Sequence, residues 1–194
     1  MSIRSISLLL LLILLLGSSA HAADQSFGSV VTTTEANWGA SVTQVIPWTT
    51  PAFAGTVDSV MIRVRDGGSN NDVQGVIYAS TASAPGGLID STAKLLITSN
   101  TQTTYKLAFI GGGSVSASTE YYIGWCNSTA NTLIPTTINS AGVGVTYKSS
   151  TTQVPSPFGT ATGTDAGYEF YCLVWYTESG GGGGAQIIRT VIIE

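Results

Sequence analysis

The chain has 194 residues, only 9% of them charged, and a formal net charge of −4. Its Lys and Arg together number 7, too few for the basic footprint that nucleic acid or anionic lipid requires. The one histidine, His21, lies in an N-terminal leader, so the rest of the chain excludes histidine-based triads and histidine-ligated zinc or copper.

In chain order, residues 1–22 read as a signal peptide. Arg4 supplies the positive charge, an apolar stretch runs from Ile6 to Leu16, and Ala20 and Ala22 stand where signal peptidase prefers small residues. The apolar run is about half the length a membrane-spanning helix needs, so membrane association is expected only if this segment is retained. The expected location is therefore extracellular, secreted or held at the cell surface. A single domain, 23–178, follows, then a glycine-rich linker, 179–185, and a C-terminal tail, 186–194.

Within the domain, apolar and polar residues alternate with a period of two, and no helical stripe is visible. The candidate strands are "SVTQVIPW", "TVDSVMIRVR", "VQGVIYAS", "AKLLITS", "TYKLAFI", "EYYIGWC", "TLIPTTI", "VGVTYKS" and "YEFYCLVWYT". In the second, Val60, Ile62 and Val64 share one face while Met61, Arg63 and Arg65 share the other, the mark of a sheet with one wet face. In "TYKLAFI", Tyr105, Leu107 and Phe109 line one side. The turn-forming stretches "DGGSNND", "SAPGG", "IGGG" and "VPSPFG" separate these runs. The pattern predicts an all-β fold, an antiparallel β-sandwich of about 8–10 strands.

The stretch "GTVDSVMIRVRDGGSNNDVQGVIYASTASAPGGLIDST", with the later "TTYKLAFIGG", "VSASTEYYIGW", "SPFGT" and "YEFYCLVWY", resembles the jelly-roll-type β-sandwich modules of secreted and surface proteins of bacteria and archaea. The resemblance covers residues 37–177. It implies a jelly-roll sandwich and a non-catalytic role in attachment, glycan binding or extracellular structure. It carries no functional residue over by position.

Candidate chemistry is sparse. Glu120 and Glu169 each open a strand and form the best carboxylate pair for a glycosidase, but acidic residues there are mostly solvated, and no enzyme activity is expected. Asp66, Asn70 and Asp72 share one glycine-rich loop and are candidate calcium ligands; a hairpin whose Asn and Asp stabilise turns is the favoured alternative. No other cofactor is implied. Trp38, Trp48, Tyr78, Tyr147 and Phe158 lie near turns or strand ends and are candidate glycan contacts, whereas Trp125 and Trp175 are expected in the core. Cys126 and Cys172 either form one disulfide or remain two buried thiols. "NST" at Asn127 is an acceptor sequon.

The tail "QIIRTVIIE" is largely apolar on both faces when drawn as a strand. Ile187, Arg189, Val191 and Ile193 fall on one side, Ile188, Thr190 and Ile192 on the other. Such a segment pairs readily with another strand. Gly180–Gly184 gives it a reach of roughly 12 Å. It can fold back on "YEFYCLVWYT", add to a neighbouring subunit's sheet, or stay unpaired. The sequence thus predicts a non-enzymatic structural or adhesive surface protein, partnered by its own copies or other surface proteins and able to form filaments by exchange of this strand. The alternative is a carbohydrate-binding module for extracellular glycans.

Overall fold

Alternation fixes which residues face inward along β4 (Gly55–Asp66). Val60, Ile62 and Val64 are buried there, while Met61, Arg63 and Arg65 keep contact with solvent. The computed structural model describes residues 23–30, 34–35, 40–68, 71–129 and 133–179, and it is all-β: two antiparallel sheets packed face to face. Asp24–Ser179 forms a compact unit by itself.

Sheet A runs in the order β1 (Asp24–Ser29), β13 (Cys172–Glu178), β4, with β8 (Thr103–Ala108) and β9 (Ser114–Val115) on the far edge of β4. In sheet B, β3 (Val42–Thr49) pairs with β10 (Glu120–Asn127), β10 with β5 (Asn71–Thr81), and β5 with β6 (Ala84–Ser91) and β7 (Leu95–Ile97). The two sheets share β11 (Leu133–Ser149). Its first residues pair with β4 and its last with β3, and a register shift falls between Asn139 and Gly144. β12 (Gly163–Phe170) pairs with β11, as does the short β2 (Thr34–Glu35). Pro47, which lacks a ladder donor, is accommodated because β11 pairs with β3 only over Val42–Val45.

The main core lies between the sheets. Ile46, Val60, Ile62, Ile77, Ile123, Trp125, Leu133, Phe170 and Val174 are buried in it, and Tyr105, Leu107 and Phe109 pack against it from β8 and beyond. Trp125 meets Phe170 edge-on with ring centroids 6.1 Å apart. Edge-to-face pairs of this kind add about 0.5–1.5 kcal/mol beyond burial of their area.

Three expectations need correction. Two predicted strands, "TLIPTTI" and "VGVTYKS", are one continuous β11, while "YEFYCLVWYT" is divided at Tyr171 between β12 and β13. The "SAPGG" stretch is mostly strand: the turn is confined to Ala82 and Ser83, both with positive φ, and β6 begins at Ala84. Strand β1, "DQSFGS", carries too little apolar patterning to be read from sequence and is held by its register against β13.

The glycine of "YYIGWC" has a steric cause. Gly124 sits mid-strand in β10 between β3 and β5, and a Cβ there would stand 1.9 Å from the Gln44 carbonyl oxygen. Gly124→Ala is expected to cost more than the roughly 1–3 kcal/mol of ordinary overpacking, read as a lowered urea midpoint. A midpoint equal to wild type would show that the strands are not seated this closely.

Candidate functional site

Each sheet has an outer face, and the two differ. On sheet B, β10 sends Tyr122 and Cys126 outward, where Val45 and Tyr78 join them in a second buried cluster. The connection Ser150–Thr162 covers this cluster. Phe158 inserts into it with no exposed surface and meets Tyr78 edge-on at 5.2 Å. Hydrogen bonds seat the cover: Tyr78 Oη donates to the Pro155 carbonyl at 2.8 Å, Phe158 N to the Gly86 carbonyl at 3.0 Å, and Lys148 Nζ to the Phe158 carbonyl. Tyr122 Oη donates to the Ser83 carbonyl at 2.7 Å.

This cover revises the glycan-contact candidates. Tyr78 and Phe158 are fully buried and offer no ring face to a sugar. Trp48 and Tyr147 are partly buried and pack against the main core. Trp38 lies outside the described residues. Trp125 is buried, as expected, but Trp175 is not a core residue. It stands on the outer face of sheet A, where Lys106 Nζ lies 5.5 Å from its ring centroid and its Nε1 donates to Met61 Sδ at 3.3 Å. The sequence signal for this position is parity: Leu173, Trp175 and Thr177 alternate with the buried Cys172, Val174 and Tyr176.

The calcium candidates are divided. Asp66 is buried at the end of β4, and its Oδ1 accepts from Gly68 N at 3.2 Å and from Asn71 Nδ2, so it braces the hairpin. Asp72 faces Lys94, with Nζ 3.7 Å from its Oδ2. Asn70 lies outside the described residues. Among the described residues, no three His, Cys, Asp or Glu side chains converge as metal ligands would.

Asn127 of the sequon is fully buried. Its Oδ1 accepts from Thr129 N and Oγ1 at 3.1 and 2.8 Å, and its Nδ2 approaches Asn71 Oδ1 at 3.4 Å. In the folded chain it is therefore a structural link between β10 and β5, not an acceptor. The two carboxylates also part: Glu120 opens β10 and accepts from Ser80 Oγ at 2.6 Å, whereas Glu169 is buried near the end of β12. β3 and β11 stand between their strands.

Asp90 was missed by sequence reading. Its carboxylate is buried and accepts from the backbone N–H groups of Ser91, Gly111 and Gly113 at 2.7–3.1 Å, pinning the "IGGG" turn against β6. The signal available was a lone Asp followed at a distance by successive glycines, a pattern with many other meanings.

Cys126 and Cys172 are both free and buried, which answers the disulfide question in favour of two thiols. The reason is geometric. Cys172 belongs to the main core, while Cys126 points to the opposite side of sheet B, into the cluster under Phe158. Burial raises the pKa of both thiols and of Tyr78, and pushes Tyr176 up to about 12.

The tail residues Ile187, Ile188, Val191, Ile192 and Ile193 lie outside the described residues. What the structure does show is their point of departure. β13 is paired on both edges, with β1 on one side and β4 on the other. Neither a scan against protein-family models nor a search of curated proteins finds a match to this chain.

The raised pKa values give a pH prediction. Each group holds its proton more tightly in the fold than when unfolded, so the stabilisation is complete below the ordinary thiol value of about 8.5. It is lost as pH rises through the folded values, about 12 for Tyr176. The urea midpoint is expected to hold through neutral pH and fall progressively in the alkaline range, with both thiols alkylated only on unfolding. Rapid native-state alkylation of either cysteine would contradict this placement.

Proposed function

We propose that the protein is a secreted, non-enzymatic β-sandwich that serves at the cell surface as a structural or adhesive subunit, joined to its copies by the C-terminal strand, residues 186–194. The observation that carries this reading is that β13, from which the tail departs, has no free edge. Folding the tail back as a hairpin on β13 would mean displacing β1.

The outer edge of β1 is within reach of the glycine linker, since adjacent strands are about 4.8 Å apart. A chain that reverses after β13 would, however, run parallel to β1, because β1 is antiparallel to β13. Parallel pairing is slightly less stable per residue than antiparallel pairing. A free sheet edge on another subunit accepts the tail in antiparallel register and displaces nothing. Main-chain hydrogen bonds then supply affinity, and the alternating isoleucines supply the side-chain contacts. Repetition of such a head-to-tail contact gives an open filament.

The resemblance to jelly-roll-type surface modules and the signal-like leader both support an extracellular role. The carbohydrate-binding alternative has Trp48 and Tyr147 left among its described candidates, and both pack against the core.

The test compares the exported, purified chain with a variant lacking residues 180–194 by negative-stain microscopy. The full chain is expected to form extended assemblies, and the deletion to lose them. Extended assemblies that persist in the deletion variant would eliminate strand addition.

A further inference from the structure

Strand addition needs a bare sheet edge long enough to hold a ladder. Among the described residues β1 offers one: its six residues keep unbroken register with β13, and no strand pairs with its other edge. The remaining edges are compromised. β2, β7 and β9 have two or three residues each. β6 is broken by register shifts against β5. β12 bends at Gly167, whose φ is 88°, where its register with β11 also shifts. β8 is closed off just past Ala108, because Phe109 bridges Thr92 and Ile110 N donates to the Ser91 carbonyl at 3.2 Å. β3 is open beyond Val45, but Pro47 stands there without an N–H.

We propose that the outer edge of β1 is the acceptor for the C-terminal strand of a second copy, with Gln186–Val191 antiparallel to Ser29–Asp24. The inference rests on the strand-addition reading and names its receiving surface. Phe27 and Ser29 are buried and Gln25 shares their face, while Asp24, Ser26 and Gly28 lie on the other. The pairing sets Gln186 beside Ser29, Ile188 beside Phe27 and Thr190 beside Gln25 on the inner face, polar against polar and apolar against apolar. Ser29 Oγ is buried with no hydrogen-bond partner among the described residues, and the Gln186 carboxamide supplies one. A shift of one residue would turn Arg189 onto the core. A shift of two would set Thr190 or Gln186 against Phe27.

On the outer face Ile187 stands beside Gly28, Arg189 beside Ser26 and Val191 beside Asp24. Arg189 is then diagonal to the exposed Asp24, within reach of its carboxylate. Run parallel to β1, as the chain's own tail would, the same match of faces leaves Arg189 beside Gly28, about 13 Å along the strand from Asp24. Charge therefore selects the antiparallel strand of another copy. The inner face of the added strand also meets sheet B. Phe27 approaches Tyr121 with ring centroids 6.4 Å apart, and Tyr121 is the cross-strand neighbour of Trp48. Trp48 is only partly buried, and its Nε1 has no hydrogen-bond partner among the described residues. Ile188, beside Phe27, extends the core towards its ring.

The experiment adds single cysteines to the exported, purified full chain, whose native Cys126 and Cys172 are buried. Gln25→Cys in one preparation is mixed with Thr190→Cys in another under mild oxidation. Opposed residues of antiparallel strands hold their Cα atoms about 4.5–5.5 Å apart, a separation that a disulfide spans. The expected product is a reducible dimer of the two variants, formed at least about tenfold faster than with Thr104→Cys, on β8, in place of Gln25→Cys. Ser26→Cys with Arg189→Cys, the adjacent pair, is expected to behave alike and carries the test if the first variants misfold. Extended assemblies in which the tail links to Thr104→Cys equally fast, or to neither strand, would overturn β1 as the acceptor and leave strand addition standing. Absence of any assembly would remove both. So would a monomer in which Gln25→Cys and Gln186→Cys, placed in one chain, close on each other, because the tail would then cover its own β1.

Discussion

The fold depends on one strand that has no wet side. In β10, Tyr121, Ile123 and Trp125 enter the core between the sheets, and Tyr122 and Cys126 enter the cluster on the opposite face. Apolar burial is favourable by about 25 cal/mol per Å², so neither face of this strand tolerates exposure. Sheet A covers one side. The other needs a separate cover, which is the Ser150–Thr162 connection with Phe158 as its anchor. A segment whose sequence reads as a loop is thereby the lid of a second small core.

The remaining features follow from that division. With the middle of sheet B covered on both faces, the outer face of sheet A is a broad surface without such a cover among the described residues. It is there that Arg63, Asp58 with its hydrogen bond from Thr177, and the half-buried Trp175 stand. Sheet A also holds β13 between two partners, so the segment after Glu178 leaves a sheet position that is already full.

Much of the sandwich was legible because alternation is a local property. β4 and β8 could be assigned face by face from every second residue. The near-continuous apolar run of "YYIGWC" marked a strand, and read strictly it also signalled burial on both faces. β1, β6 and the first half of β12 were illegible, since "DQSFGS", "APGGLIDS" and "GTDAGY" are made of turn-forming residues and become strands only by pairing with longer neighbours. The candidate site fared worse for the same reason. Tyr78 and Phe158 lie beside turns in sequence, and only the return of the connection over sheet B turns them inward. Asn127 looks like a surface acceptor until Asn71 and Thr129 are placed around it. Nor can the spacing of two cysteines tell which side of a sheet each faces.

The central claim is that the Ser150–Thr162 connection seals the second face of β10. Denaturant unfolding of Phe158→Ala tests it most directly. A side chain of this size removed from a sealed cluster should cost about 3–5 kcal/mol. Stability equal to wild type would mean that the connection does not cover β10, and that the second core is absent.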